Sequence, residues 1–133
     1  MTPLPILAVK DDDQPIVEPE PGIRYRVRAG ASTGAAVLTV VDRWFEPGKG
    51  VPFHRHPAGV EEVVWVQEGA AEFRVGDETA TVGPDHTVII PAETPHSFTS
   101  CGESTLRALV RYSSVEPVMI AEGIAPGTLE IPS

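Results

Sequence analysis

The stretch 48–62, GKGVPFHRHPAGVEE, decides how the rest of the chain is read. It carries His54 and His56 one residue apart and, after a short loop, the adjacent acids Glu61 and Glu62. Side chains of an extended strand alternate faces, so positions i and i+2 look the same way. Both imidazoles then face one side and Arg55 faces the other. Two imidazoles and a carboxylate from one neighbourhood make half of a cage for a divalent transition metal.

The sequence on either side of this stretch reads as strands. Residues 23–29, IRYRVRA, alternate cleanly, with Arg24, Arg26 and Arg28 on one face and Ile23, Tyr25 and Val27 on the other. That period belongs to a half-buried strand, and the arginines are expected on a solvated outer face rather than at an anion site. AAVLTVVDRWF (35–45) is too continuous for a surface strand. Pro47-Gly48, just after it, suits the centre of a type II turn. Downstream, 63–69, 71–78, 79–82, 86–91, 96–100 and 105–113 read as strands, with Gly69 and Gly76-Asp77 at tight hairpins. Apolar residues nowhere recur with a helical period. Roughly eight to ten short strands at this spacing predict an all-β sandwich or small barrel. Residues 1–22, rich in proline and acid, read as an extended arm whose Leu4, Ile6 and Leu7 could pair with a sheet edge. Residues 23–113 form the barrel, and 114–133 a tail packing on it, with a short strand near 117–120.

Composition bounds the possibilities. The 133 residues make one domain with a sizeable core, and 41% hydrophobic against 22% charged residues fits a globular chain. A formal net charge of −9 is repelled by phosphate backbones and anionic membranes, so neither nucleic acid nor a membrane is expected as partner. The lone cysteine, Cys101, excludes an intramolecular disulfide and a CxxC metal site, and reads as a small buried hydrophobe. MTPLPILAVKDDD has neither the cationic start nor the apolar length of a signal peptide, and no apolar run is long enough to span a bilayer. The expected location is cytoplasmic.

A metal cage needs ligands from more than one place, and His96, in IIPAETPHSF, lies far along the chain after a proline-bounded turn. A barrel brings such strands together. His54, His56 and His96 with one glutamate make a set of three imidazoles and a carboxylate. The fourth histidine, His86, reads as a surface or turn residue.

With these residues in view, the chain resembles the cupin superfamily of double-stranded β-helix (jelly-roll) barrels. The family's first motif, G(X)5HXH(X)3–4E(X)6G, is matched by Gly48, His54, His56, an acid and Gly69. Its second, G(X)5PXG(X)2H(X)3N, is matched by Pro91 and His96. The likeness extends over about residues 24–113 and departs from the pattern in three places. Glu61 satisfies the spacing counted forward from His56, and Glu62 that counted back from Gly69. Residues 63–68 should be regular strand, where a slip of one flips every side chain, whereas a loop absorbs an extra residue. Glu62 is therefore the expected ligand and Glu61 the alternative, facing solvent. Trp65 also falls three after Glu62, where relatives often place an aromatic. The second motif's glycines fall at Asp85 and Glu93; Gly83 could serve the first turn, and the turn at 93 is expected to be altered. Ser100 stands for the usual asparagine.

The resemblance implies one divalent transition metal per chain (Fe, Mn, Ni, Cu or Zn) held by His54, His56, Glu62 and His96. It implies a small-molecule substrate in the barrel, and Trp44, Phe53, Val64, Phe73, Phe98 and Leu109 are candidates for an apolar lining. The first expectation is a metal-dependent oxygenase of dioxygenase type acting on a chelating organic substrate. A non-redox lyase, cyclase or isomerase ranks next, and a non-catalytic ligand-binding module last, since the fold hosts all three. A homodimer formed through sheet edges is expected; a monomer mass in solution would count against it.

Overall fold

In this computed structural model, two six-stranded antiparallel sheets face each other across a single apolar core. Residues 6–117, 119–121 and 128–129 are described. The strands are β1 (Val17–Glu20), β2 (Ile23–Ala29), β3 (Thr39–Phe45), β4 (Gly50–Arg55), β5 (Glu62–Glu68), β6 (Ala71–Val75), β7 (Glu78–Val82), β8 (His86–Ile90), β9 (His96–Ser100), β10 (Leu106–Tyr112), β11 (Met119–Ala121) and β12 (Thr128–Leu129). The first sheet runs β1-β2-β3-β10-β5-β8 and the second β12-β11-β4-β9-β6-β7. From β3 onward the chain changes sheet at nearly every turn, which is jelly-roll winding. The all-β barrel expected from the strand pattern is thus the fold observed.

Strands beyond the expected count lie outside the barrel segment. β1 forms within the arm and pairs with this chain's own β2, matching Val17 to Tyr25 and Glu20 to Ile23. Ile6 and Leu7 are exposed and belong to no strand, and Leu4 lies outside the described residues. In the tail, β11 pairs with β4 and β12 with β11, while 118, 122–127 and 130–133 lie outside the described residues. No helix among the described residues is long and apolar enough to cross a membrane.

Alternation sorts each strand into an inner and an outer face. Val41, Arg43 and Phe45 of β3, Val64 and Val66 of β5, and Leu106, Ala108, Val110 and Tyr112 of β10 are buried inside. Phe98 anchors the core, with Phe45 edge-on at 5.2 Å and Phe73 at 5.1 Å between ring centroids. Val64, Phe73 and Phe98 therefore face the interior. Trp44, Phe53 and Leu109, also expected in the lining, do not. Trp44 alternates with Arg43 and Phe45 and sits outside, between the guanidinium groups of Arg26 and Arg107 at 5.6 and 5.4 Å. Phe53 alternates with His54 and lies under Arg74 at 4.0 Å. Leu109, next to the buried Ala108 and Val110, lines a shallow outer concavity with Val63, Trp65, Thr87 and Arg111.

The arginine face of β2 also differs from expectation. Asp42 is fully buried on the outer face, and Arg26 (3.4 Å), Arg28 and Arg107 (3.7 Å) converge on its carboxylate. Arg28 also pairs with Asp11 at 3.0 Å, and Arg24 reaches Glu46 at 3.5 Å. These arginines are committed to ion pairs because β3 places an acid directly across the ladder from Arg26. Cys101 is exposed rather than buried, in the loop following β9.

Two turns position the site. Gly48 has φ of 85° in a turn closed by the Lys49 N–H donating to the Glu46 carbonyl at 2.9 Å. Gly50 lets β4 touch β9, since a Cβ there would stand 2.0 Å from the Phe98 carbonyl oxygen. Where the second motif would have glycine, Asp85 and Glu93 both take φ of 63°. The turn at 93 therefore keeps its left-handed geometry, and Gly83 does not substitute for the first position. A glutamate held there costs about 1–2 kcal/mol. Glu93→Gly is expected to raise stability by about 1 kcal/mol after the entropy lost by glycine is deducted. Chemical denaturation checks this, and a destabilised Glu93→Gly variant would show that the glutamate side chain contributes more than its backbone costs.

Candidate metal centre

His54 and His56 leave the end of β4 on the inner side, His96 opens β9 beside them, and Glu62 opens β5 on the facing sheet. A β-bulge aims the first of these. Val51 pairs with Phe98 and His54 with His96, so three steps along β4 match two along β9. Val51 and His54 consequently both turn inward, at 7% and 2% exposure, although their spacing would separate them on a regular strand. His54 and His96 become direct cross-strand neighbours, with ring centroids 4.3 Å apart. His56 lies 5.0 Å from His54 and 5.3 Å from His96.

One donor atom from each of His54, His56, Glu62 and His96 falls within 4.8 Å of the others, and all four residues are buried. Glu62 Oε1 lies 2.7 Å from His56 Nε2 and 3.0 Å from His96 Nε2. Glu61 is exposed and outside this group; its N–H donates to Ser113 Oγ at 2.9 Å and its carbonyl accepts from the Ser113 N–H at 3.0 Å. The surplus residue of the segment is absorbed in the loop before β5. His86 is exposed, with Nδ1 3.0 Å from the Pro84 carbonyl.

The donor set suits a transition metal. Backbone carbonyls of Pro52 and Thr94 take the Nδ1 positions of His54 and His96 at 2.6 and 2.8 Å. That fixes each ring's orientation and turns Nε2 toward the shared centre. Burial pulls the His54 pKa down to about 4, with His96 adding to the effect, so this imidazole is neutral and its lone pair available at pH 7. Burial alone would raise Glu62, but hydrogen bonds from His56 and His96 outweigh it and hold the carboxyl at about 2. Burial likewise opposes protonation of His96, and the Glu62 carboxylate overrides it, raising the pKa. His96 meets an oxygen at each ring nitrogen, the Thr94 carbonyl at Nδ1 and the Glu62 carboxylate at Nε2, which favours its protonated form.

Two residues beside this centre were not singled out from sequence. Tyr112 pairs with Glu62 across the ladder, and its ring lies 5.1 Å from His56. Burial pushes its phenol pKa up, so the hydroxyl keeps its proton. Arg43, at 7% exposure, brings a cation into the interior, close enough to Tyr112 to oppose the rise of its phenol pKa. A lone arginine at inward parity between Val41 and Phe45 is the signal that could have found it.

These shifts set the stability of the metal-free protein. Between pH 4 and 6.5 the unfolded chain binds a proton at His54 more readily than the folded one, so stability rises with pH. His96 has the opposite sign: its contribution is complete below its ordinary value of 6.5 and is lost as pH climbs through the raised folded value. The metal-free protein should therefore melt highest near pH 6.5. Melting curves across pH check this, with His54→Gln expected to flatten the acid side. A melting temperature still climbing beyond pH 8, about 1.5 above the ordinary histidine value, would contradict it.

Comparison with known proteins places this geometry. The cupin domain profile matches residues 44–112. A polyketide synthase protein, CurC of Streptomyces cyaneus, is 31% identical over 91 residues, covering 68% of this chain and 56% of that protein. The chain thus matches little more than half the length of that curated relative. Among solved structures, the polyketide cyclase RemF of Streptomyces resistomycificus is similar with a TM-score of 0.69 and 24% identity, covering 95% of this chain and 85% of that one. Oxalate decarboxylase of Lactobacillus farciminis gives a TM-score of 0.73 at 18% identity, covering 84% and 34%. Likeness at these identities is a likeness of fold. With the profile spanning both histidine-bearing segments and the intervening strands, the chain belongs to the cupin family.

Proposed function

We propose that this cupin is a metal-dependent, non-redox enzyme that promotes ring closure in a poly-carbonyl substrate of polyketide type. The observation that carries the reading is the convergence of three imidazoles and one carboxylate within 4.8 Å on the barrel's inner face. The choice of chemistry is supported by the two relatives named for polyketide synthesis and cyclisation. That support moves cyclisation ahead of the oxygenase reading, which the residues alone had favoured.

A divalent metal held by His54, His56, Glu62 and His96 would supply Lewis-acid polarisation of a carbonyl oxygen. The remaining work falls to the chain. The Pro52 and Thr94 carbonyls hold two imidazoles in one tautomer, so no reorientation is needed when the site is used. Glu62 stays ionised and balances one unit of charge inside the barrel. Val64, two residues after Glu62, and Phe98, two after His96, pack a dry, apolar core beside the centre. Tyr112 keeps its phenolic proton and can donate a hydrogen bond to a substrate oxygen.

Two experiments test the reading. Metal analysis of the purified protein is expected to show metal in the wild type and in Glu61→Ala, and its loss in His56→Ala and Glu62→Ala. Metal retained by Glu62→Ala and lost by Glu61→Ala would reverse the assignment of the carboxylate. Turnover of a linear poly-β-ketone is expected to proceed equally with and without dioxygen, and with redox-inert Zn(II). Substrate-dependent dioxygen consumption, with no reaction under anaerobic conditions, would restore the oxygenase reading instead.

A further inference from the structure

We propose that Arg43 is an anion anchor inside the barrel, beside Tyr112, and that the substrate binds as an enolate or carboxylate with a charged oxygen on its guanidinium. The inference rests on the metal-binding reading above and adds a charge and a contact residue to it.

Arg43 is an unusual tenant of this core. It is 7% exposed, and β3 points it inward between Val41 and Phe45, both fully buried. Its guanidinium carbon lies 5.1 Å from the centre of the Phe45 ring, a favourable but weak contact for a buried cation. The nearest acid in sequence, Asp42, faces the opposite side of the sheet and is occupied by Arg26, Arg28 and Arg107. Among the described residues no carboxylate lies within 4.0 Å of Arg43, and its Nε–H is buried with no hydrogen-bond partner. A buried guanidinium with an idle donor is costly unless something else satisfies it.

Tyr112 relates this arginine to the metal centre. It sits opposite Glu62 in the ladder, packs against the His56 ring and lies near the Arg43 guanidinium. The charge balance points the same way. Imidazoles that ligate a metal are neutral, so Glu62 is the single negative side chain in the donor set. A divalent ion and Arg43 together leave the interior with excess positive charge, which an anionic ligand would neutralise. A guanidinium that can offer Nε–H and a neighbouring N–H in a fork matches two oxygens of a carboxylate or a β-diketonate.

The test titrates acetate, with acetamide as its uncharged isostere, into the full chain loaded with Zn(II). Acetate is expected to bind the wild type more tightly than acetamide does. Arg43→Gln should weaken acetate about tenfold or more, the effect of removing a charge-assisted hydrogen bond, while zinc content and acetamide affinity stay unchanged. Should Arg43→Gln fail to fold, the wild type still decides: the NMR signal of the buried Arg43 Nε–H should move downfield with acetate and stay put with acetamide. Acetate binding equally well to Arg43→Gln, or leaving the Nε–H signal of the wild type unmoved, overturns the anchor while the metal reading stands. A wild type that takes up no Zn(II) overturns the metal reading, and the anchor with it.

Discussion

A single carboxylate oxygen, Glu62 Oε1, is the point at which the two sheets of this barrel meet chemically. It is carried by the first sheet and held at 2.7 and 3.0 Å by two imidazoles of the second. Apolar packing between sheets tolerates sliding, because dispersion has little direction. A buried carboxylate does not, because leaving it unpaired costs far more than a displaced methyl group. The bulge in β4, the close approach permitted by Gly50 and the turn at Gly48 all serve to bring His54 and its neighbours to that oxygen.

Much of this was legible in the sequence because strand alternation is a strict code. His54 and His56 at i and i+2, the arginine alternation of β2 and the apolar alternation of β10 each gave the sharing of faces correctly. Glu62 was separable from Glu61 by asking which segment could absorb an extra residue. What alternation does not give is which of two mixed faces turns inward. Trp44 and Leu109 are large and apolar, yet their neighbours fill the core and they take the outside, flanked by arginine aliphatic stems and guanidinium planes. The bulge that turns both Val51 and His54 inward leaves no mark in residue type. The turn at Glu93 was misjudged because a backbone preference of one or two kcal/mol yields when the strands on both sides are fixed by long-range pairing.

Charged residues were the least legible part. Asp42 and Arg43 sit inside an apolar run, and a pattern search registers them as interruptions rather than as a pair of opposite commitments. What they meet comes from strands distant in sequence: Arg26 and Arg107 pair with Asp42, and Tyr112 lies near Arg43. No local window contains such a pairing. Structures alike in fold are named for decarboxylation and for cyclisation, so the winding of the chain does not by itself choose the chemistry.

The adjacency of Asp42 and Arg43 has a consequence for how β3 finds its place. A slip of one residue against β2 and β10 exchanges the two faces of the strand. Such a slip would carry Asp42 into the apolar interior, leaving a carboxylate without its arginines in a poorly solvated space. It would also push Arg43 out into a group of arginines that had lost the acid they share. Val40 and Val41, just before the pair, would accept the exchange with little complaint. The two charges would not, and so this dipeptide works as a registration key for the middle of the first sheet.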